Sequence, residues 1–263
     1  MMTLSEEQLA AFERNGYVTV KGLFSTGEVA AMRGALKVVL KLDRPELVRE
    51  RNNNSVRLVY GADRFSATFD ALVHHPRWIG PAQQLLKSDV YLHQLRINPK
   101  APFDGGGWWW HQDYGTWRFE DGMPTARALM IGVFLDDMND CNGPLMVIPG
   151  SHRYGHINDS LPDRDKSGYT VMDLPQAVIA KLVAEGGVEA LTGPAGTALF
   201  MHCNLVHGST GNITPSTRTI AYLNVNSTEN AITKFGRAEY FANRDFSPLQ
   251  AYGDDCLVQQ AAA

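Results

Sequence analysis

The chain has 263 residues, of which 44% are hydrophobic and 20% are charged, and its formal net charge is −4 at pH 7. This composition is that of an ordinary globular protein, and it excludes a disordered, collagen-like or coiled-coil chain. Neither nucleic acid nor a membrane is expected as a partner, because the chain has no basic excess and no apolar run near the roughly 20 residues that cross a bilayer.

Three cysteines, Cys141, Cys203 and Cys256, are scattered along the chain without a CxxC pair. An odd number of unclustered thiols is typical of a reducing compartment, and it is not the pattern of a disulfide framework or a cysteine-ligated zinc site. The first residues also lack the basic and then apolar layout of a secretion signal. We therefore expect a cytoplasmic protein, and the sequence leaves monomer and homodimer open.

The N-terminal part, up to about residue 88, is predicted to be mainly helical. Ser5 and Ser25 each begin a capping box, because a Gln or a Glu follows three residues later. Apolar residues at helical spacing follow both serines, so each helix is expected to bury one stripe. Residues 44–66 are polar and rich in Arg and Asn, and this predicts a loop.

From residue 90 onward the pattern becomes that of strands. Residues 90–98 alternate, which places Leu92, Gln94, Arg96 and Asn98 on one face of a strand. The further predicted strands are 108–113, 128–135, 145–148, 197–203 and 219–225. Turn residues separate them, and no internal repeat or linker is present. We expect one domain over residues 1–263, mainly β, with flanking helices and an antiparallel sandwich or barrel core over about residues 89–230.

The sharpest local pattern is WHQDY, residues 110–114. Residues two apart on a strand point to the same face, so His111 and Asp113 can bind one ion together. His207, in the later sequence VHGS, is the candidate third ligand. Two histidines and one carboxylate form the donor set of non-haem Fe(II) oxygenases. The H-x-D pattern alone also occurs by chance, with a structural or surface role as the alternative.

Arg218 opens an alternating strand eleven residues after His207, and it shares a face with Tyr222. A guanidinium there can bind the distal carboxylate of a 2-oxo acid in a bidentate manner, which a lysine would do less well. Ser209 can share that carboxylate. The alternative for Arg218 is a surface ion pair, the more common fate of an arginine.

Three stretches in fixed order carry a resemblance: HQDYGTWRFEDGMP (111–124), NGPLMVIPGSH (142–152) and VHGSTGNITPSTRTIAYLNVNS (206–227). They resemble the phytanoyl-CoA dioxygenase family, and within it the bacterial ectoine hydroxylases and free L-proline 4-hydroxylases. The resemblance extends from about Leu4 to about Asn230. It implies a double-stranded β-helix (a cupin-like jelly roll) with helices outside. It also implies an Fe(II)- and 2-oxoglutarate-dependent hydroxylase that consumes O₂, with ascorbate as a reductant in vitro.

The resemblance also implies roles for individual residues. The positions that match the family's iron ligands are His111, Asp113 and His207. The positions that match its 2-oxoglutarate site are Arg218, Ser209, Gln94 and Asn98. Arg96 matches a cation placed to meet a substrate carboxylate, and Trp117 matches an aromatic residue that packs on a small cyclic substrate. Trp108, Tyr222 and Gln112 are further candidates for substrate contact, with core packing as the alternative for the two aromatic residues.

The substrate motifs are mixed. The sequence WHQDYGTW differs from the WHSDFETW typical of ectoine hydroxylases, and its Gln112 and Tyr114 look more like those of the proline hydroxylases. The segment GSTGNITP (208–215) looks more like the ectoine enzymes. We therefore expect a small free amino or imino acid, L-proline-like or ectoine-like, as the substrate.

Two other classes use the same residues differently. A zinc-dependent hydrolase or isomerase on a cupin-like barrel could use the same three ligands, but it would not need Arg218 or 2-oxoglutarate. A non-catalytic cupin-like protein could bind a small molecule without turning it over. The complete set of three ligands together with Arg218 argues against this last class.

Overall fold

The computed structural model describes residues 2–50, 54–157, 163–164, 170–171 and 173–261. The α-helices are Glu6–Asn15 (α1), Thr26–Val39 (α2), Ala67–Val73 (α3), Pro76–Leu86 (α4), Asp113–Glu120 (α5), Gln176–Gly186 (α6) and Cys256–Ala261 (α7). None of the helices in these ranges is long and apolar enough to cross a membrane.

Strands form the centre of the molecule. They are Tyr17–Val20 (β1), Leu47–Arg49 (β2), Val56–Tyr60 (β3), Val90–Lys100 (β4), Trp108–His111 (β5), Ala128–Phe134 (β6), Leu145–Val147 (β7), Asp163–Arg164 (β8), Thr170–Val171 (β9), Glu189–Leu191 (β10), Ala198–His202 (β11), His207–Ser209 (β12) and Arg218–Ser227 (β13). The larger sheet has the order β1-β11-β6-β13-β4-β3-β2, and the smaller sheet has the order β10-β7-β12-β5. Neighbouring strands in both sheets are antiparallel.

Two hydrophobic clusters explain how the layers hold together. The inner cluster takes side chains from both sheets, such as Met130 of β6 and Val147 of β7. The outer cluster joins the other face of the larger sheet to the helices, for example through Met32 of α2 and Trp78 of α4, which have no exposed surface. The predicted mainly β jelly roll with helices packed outside is confirmed.

The predicted helix starts have the expected local chemistry. Ser5 and Ser25 each accept a hydrogen bond from the backbone three residues later, while the Gln8 and Glu28 side chains bind back to the serine backbone. These reciprocal bonds satisfy amide groups that a helix cannot pair internally. Behind these caps, Phe12 of α1 and Met32 of α2 belong to the outer cluster.

The loop predicted for residues 44–66 is wrong for much of that range. β2 and β3 form a hairpin there, and Val59 pairs with Ile97 of β4, so the hairpin extends the larger sheet. Leu58 and Val59 are almost completely buried. The prediction failed because it relied on the Arg- and Asn-rich composition of the whole segment and overlooked the short apolar run of β3.

The alternation predicted for residues 90–98 is interrupted at His93. The pairing with β13 passes from Gln94 opposite Asn224 to Leu92 opposite Val225, so β4 contains one extra residue at this point. Because of such a bulge, the side chains that precede it point to the opposite face of the sheet from the one that alternation predicts. Leu92 therefore joins the outer cluster instead of the face that carries Gln94.

Candidate active site

Three metal-ligating side chains meet where the smaller sheet borders α5. His111 ends β5 and His207 begins β12, and the antiparallel register places them opposite each other. Asp113 is the first residue of α5. The strand predicted for residues 108–113 thus ends at His111, and Gln112 is an extended helix cap with φ −121° and ψ 125°. Because Gln112 is extended, the side chains of His111 and Asp113 point to the same side of the backbone.

The geometry of the three side chains fits a divalent metal. The Nε2 atom of His111 lies 3.5 Å from Asp113 Oδ1, and the Nε2 atom of His207 lies 3.9 Å from Asp113 Oδ2. Nδ1 of His111 is 2.6 Å from the Trp109 carbonyl oxygen, and Nδ1 of His207 is 2.9 Å from that of Leu205. A carbonyl oxygen only accepts, so each Nδ1 carries the proton and each Nε2 lone pair faces the site. Two neutral imidazoles and one carboxylate suit Fe(II).

Neighbouring charges favour the ligating forms. Burial alone would raise the pKa of the Asp113 carboxyl, but the Arg96 guanidinium is the largest opposing influence, and that pKa lies well below its usual range. Burial, together with the nearby His111, lowers the pKa of His207 to about 3. A carboxylate and neutral imidazole are therefore the forms expected at neutral pH.

Arg218 is the second notable feature of the site. It begins β13, its side chain is almost completely buried, and its NH1 group donates a 3.1 Å hydrogen bond to Asn98 Oδ1. Its Nε has no hydrogen-bond partner, and no carboxylate of the described residues forms an ion pair with it. The surface ion pair is therefore wrong for Arg218. A buried and unpaired guanidinium is costly to a fold, and an anionic ligand removes that cost.

One cavity of about 310 Å³ contains the three metal-ligating residues and Arg218 in its wall. The predicted site residues that line it are His111, Asp113, His207, Arg218, Ser209, Gln94, Asn98, Arg96, Trp117, Trp108 and Tyr222. We call Arg218, Ser209 and Asn98 the Arg218 cluster.

Gln112 is the predicted site residue that the structure places elsewhere. Its amide nitrogen donates to the carbonyl oxygens of Asn204, at 2.6 Å, and Gly155, at 2.8 Å, and its amide oxygen accepts from the Ile157 backbone. It is buried but does not line the cavity. The prediction that Gln112 contacts substrate is wrong, because alternation turns it away from the face of its two ligating neighbours.

The polar residues of β4 hold the walls of the cavity together. Gln94 donates a 2.6 Å hydrogen bond to the Phe241 carbonyl oxygen and accepts one of 3.0 Å from Asn224. Asn98 donates a 2.9 Å hydrogen bond to the carbonyl oxygen of Arg57. Since these amide groups have protein partners, the two residues act at least partly by fixing other segments around the cavity.

The remaining predicted substrate contacts also have protein partners. An Arg96 nitrogen lies 3.4 Å from Asp113 Oδ2, and its guanidinium carbon lies 5.0 Å from the centre of the Tyr222 ring. The guanidinium of Arg57 stacks on Trp108 at 3.9 Å. Arg96 is therefore placed to orient Asp113, and Trp108 is both cavity wall and packing partner.

Sequence reasoning missed a second group of cavity residues. Arg237 and Phe241 belong to the segment that follows Asn230, and Tyr60 belongs to β3. The rings of Tyr60 and Phe241 pack edge to face at 4.7 Å, and the Arg237 guanidinium lies 5.6 Å from the Phe241 ring. We call Arg237, Phe241, Tyr60 and Trp117 the Arg237 cluster. No periodicity or motif marks the C-terminal part of this cluster in the sequence.

A buried carboxylate fixes Arg237. Asp121 follows α5, is 1% exposed, and receives Arg237 Nε at 2.8 Å on one oxygen and a second guanidinium nitrogen on the other. His93 Nε2 lies 3.2 Å from the same carboxylate, and the His93 ring packs on Trp117 at 5.2 Å. Asp121 therefore connects Arg237 of the C-terminal segment to the helix that begins with the metal-ligating Asp113.

A jelly roll with two histidines and one carboxylate at one cavity, together with a buried arginine that lacks an acidic partner, defines the class of Fe(II)- and 2-oxoglutarate-dependent dioxygenases. The sequence model of the phytanoyl-CoA dioxygenase family matches residues 12–220. The chain belongs to this family.

Relatives of known activity agree with this assignment. The ectoine dioxygenase of Bordetella bronchiseptica is 38% identical over 255 residues, covering 92% of this chain and 83% of that protein. The L-proline trans-4-hydroxylase of Streptomyces griseoviridis is 34% identical, covering 94% of this chain and 95% of that protein. The crystal structure of EctD from S. alaskensis with 2-oxoglutarate and 5-hydroxyectoine superposes with a TM-score of 0.84 at 34% identity, covering 95% of this chain and 87% of that one. The predicted family and enzyme class, with Fe(II), 2-oxoglutarate and O₂ as cofactor and cosubstrates, are confirmed.

Proposed function

We propose that this enzyme hydroxylates a small free amino or imino acid, L-proline-like or ectoine-like, and couples the reaction to oxidative decarboxylation of 2-oxoglutarate to succinate and CO₂. The observation that carries the proposal is the single cavity that combines His111, Asp113 and His207 with the buried and unpaired Arg218. A zinc hydrolase would have no use for that arginine.

The cavity volume supports a small substrate. At about 310 Å³ the cavity lies at the lower end of the roughly 300–1,000 Å³ found for ligand pockets. Part of that volume must accept 2-oxoglutarate, so little remains for the substrate. A free amino acid or a small cyclic zwitterion fits this space, whereas most of an acyl-CoA would have to lie outside it.

The protein's part in the reaction is to bind and to orient. His111, Asp113 and His207 would hold the iron, and the Arg218 guanidinium would bind the distal carboxylate of 2-oxoglutarate through paired hydrogen bonds. When bound, Fe(II), 2-oxoglutarate and O₂ supply the oxidative chemistry, in which one oxygen atom of O₂ enters a substrate C–H bond and the other enters succinate. Side chains that fix the substrate select the carbon that reacts.

The wall near the metal ligands offers groups that suit a zwitterion. Arg96 and Arg237 supply positive charge for a substrate carboxylate, and both line the cavity. The rings of Trp117 and Tyr222 supply apolar surface and π faces for a small ring or a cationic nitrogen. We assign the substrate to the space between these groups and the three metal-ligating residues.

The decisive experiment is succinate release from 2-oxoglutarate with Fe(II), ascorbate and a panel that includes L-proline, pipecolate and ectoine. We expect one compound to stimulate succinate formation and to gain 16 Da. Succinate without an oxidised product would place the substrate outside the panel. An iron-loaded enzyme that releases no succinate with any compound would contradict the proposal and favour the zinc or binding-protein alternatives.

A variant tests the role of Arg96. Replacing Arg96 with Ala is expected to raise the KM for the substrate far more than the KM for 2-oxoglutarate. Because Arg96 also contacts Asp113, iron content should be measured in parallel. Equal increases in both KM values at full iron content would contradict a contact between Arg96 and the substrate carboxylate.

We further propose that the enzyme is one domain that works in the cytoplasm as a monomer or homodimer. The three cysteines are free, which suits a reducing compartment. Light scattering of the dilute active enzyme tests the oligomeric state, and a single thermal unfolding transition tests the single domain.

A further inference from the structure

A buried lysine lies behind the Arg218 cluster. Lys100 is the last residue of β4, is 1% exposed, and pairs in register with Arg218 on β13. Its Nζ is 2.9 Å from Ser209 Oγ and also contacts the Thr210 carbonyl oxygen. Lys100 does not line the cavity, whereas Ser209 does. Ser209 thus stands between the lysine and any ligand in the cavity.

Glycine residues enclose the lysine. A Cβ atom at Gly105 would lie 2.5 Å from the Lys100 Cβ, and one at Gly143 would lie 3.0 Å from its Cδ. These two glycines allow two turns to pack closely on the aliphatic stem of Lys100. Gly105 belongs to the glycine run at residues 105–107. The amine consequently has almost no exposed surface and depends on protein groups for its interactions.

The charges around Lys100 oppose its ammonium form. Arg218 on β13 and Arg57 on β3 are the nearby cations, and Glu50, after β2, is the nearby anion. Among the described residues the polar partners of Nζ are Ser209 Oγ and the Thr210 carbonyl oxygen, and neither is a carboxylate. Burial and the two guanidinium groups lower the pKa of Lys100 to about 6. The amine is therefore neutral at pH 7.5 when the cavity holds no anion.

The protonation state of Lys100 limits where the Ser209 hydroxyl hydrogen can point. The Thr210 carbonyl oxygen always takes one hydrogen from Nζ. A neutral amine has a lone pair that can accept the Ser209 hydroxyl hydrogen and turn it away from the cavity. An ammonium group has no lone pair and donates to Ser209 Oγ, which leaves the hydroxyl hydrogen free to point into the cavity.

We propose that Lys100 is a proton-linked positioning residue that becomes protonated when 2-oxoglutarate binds and, through Ser209, directs a hydroxyl hydrogen at the distal carboxylate. This inference rests on the proposed binding of that carboxylate at Arg218. The incoming carboxylate provides the negative charge that the cluster lacks, and solvent supplies the proton. The ligand thereby gains a second hydrogen-bond donor and a second positive charge beside Arg218.

The sign of the pH effect is set by linkage. The bound anion raises the pKa of Lys100 above its value in the free enzyme. At any pH between these two pKa values, binding of 2-oxoglutarate is therefore accompanied by uptake of a proton. The affinity for 2-oxoglutarate is greatest below about pH 6 and falls as the pH rises above it, by up to about tenfold per pH unit.

Calorimetry of 2-oxoglutarate binding tests the inference without turnover. The iron-loaded enzyme is titrated anaerobically at pH 7.5 in Pipes, Hepes and Tris, whose different ionisation enthalpies report the number of protons exchanged. We expect uptake of about one proton per 2-oxoglutarate at pH 7.5, and clearly less at pH 5.5, where Lys100 is already charged. Binding without proton uptake would overturn this inference and leave the proposed function standing. No binding to iron-loaded enzyme would overturn both.

Variants assign the proton to Lys100. Lys100→Met should bind 2-oxoglutarate about tenfold more weakly with no proton uptake, because it removes the charged hydrogen bond to Ser209. Lys100→Arg keeps a permanent charge and should bind without uptake. Lys37→Met, at an exposed position of α2, is the matched control and should behave as the parent enzyme. If the Met variant does not fold, the pH dependence of the parent and the Arg variant decides the matter, and unchanged uptake in either variant would contradict the assignment.

Discussion

The Arg218 cluster and the Arg237 cluster line the same cavity, but they are built from different parts of the chain. Arg218, Asn98 and Ser209 lie on three strands whose antiparallel register fixes them. Arg237 and Phe241, by contrast, come from an irregular segment held to the rest of the protein by side-chain and backbone hydrogen bonds.

The difference indicates how one framework serves several substrates. The matched family region ends at residue 220 and includes the whole Arg218 cluster, whereas Arg237 and Phe241 follow it. The groups proposed for the cosubstrate are therefore part of the sheets, as are Arg96 and Tyr222. Arg237 and Phe241, in contrast, sit on a segment that can change without repacking a sheet. Variants in the two clusters should therefore differ in whether they raise the KM for 2-oxoglutarate or the KM for the substrate.

The largest loss of activity is expected when a metal ligand is removed, because both clusters serve the same metal site. His207→Ala removes a metal ligand, and we expect activity to fall by about 1,000-fold or more with loss of bound iron, because a site that keeps two of three protein ligands binds weakly. Iron content and succinate release measure this. His74→Ala, which replaces a histidine outside the cavity, is the control, and retention of stoichiometric iron by the His207 variant would contradict the assignment.

Arg218→Met should separate the two clusters most clearly. The lost bidentate pair is worth about 3 kcal/mol, so the KM for 2-oxoglutarate should rise about 100-fold, while the KM for the substrate changes little. Arg218→Lys keeps the charge without the planar geometry and should recover part of the loss. Equal increases in both KM values would show that the clusters are not independent.

The metal site and the Arg218 cluster could be predicted because each residue stands in a recognisable local pattern. The family resemblance, and not spacing, joined Asn98 to Arg218 across 120 residues. A spacing of two residues brings His111 and Asp113 together whether the second lies on a strand or, as here, opens a helix. Alternation likewise placed Arg96 and Asn98 correctly on one face of β4. The same reasoning failed at Leu92, because one extra residue in a bulge has no reliable sequence signal.

Three members of the Arg237 cluster, Arg237, Phe241 and Tyr60, could not be predicted for a different reason. Arg237 becomes part of the cavity only through its pairing with Asp121, which lies 116 residues earlier in the chain. Tyr60 enters through a hairpin whose polar composition suggested a loop. Contacts of this kind depend on the folded arrangement of distant segments, and a single sequence contains no spacing that reports them.

Arg237→Met should affect the substrate and spare the cosubstrate. We expect the KM for the hydroxylated compound to rise about tenfold, the value of one charged hydrogen bond, with the KM for 2-oxoglutarate unchanged. More succinate should also form per product, because a poorly held substrate is oxidised less efficiently. Arg237→Lys serves as the charge-conserving control. A 2-oxoglutarate KM that rises in parallel would assign Arg237 to general stability of the cavity.

The smallest effect is expected for Asp121→Asn, which leaves Arg237 in the enzyme but removes the charge that orients it. An amide can accept only one of the two guanidinium hydrogen bonds, so the substrate KM should rise about three- to fivefold, less than for the loss of Arg237 itself. A double-mutant cycle supplies the test. If Asp121 acts through Arg237, adding Asp121→Asn to Arg237→Met should raise the KM no further, whereas additive effects with a lowered melting temperature would show that the carboxylate instead stabilises α5.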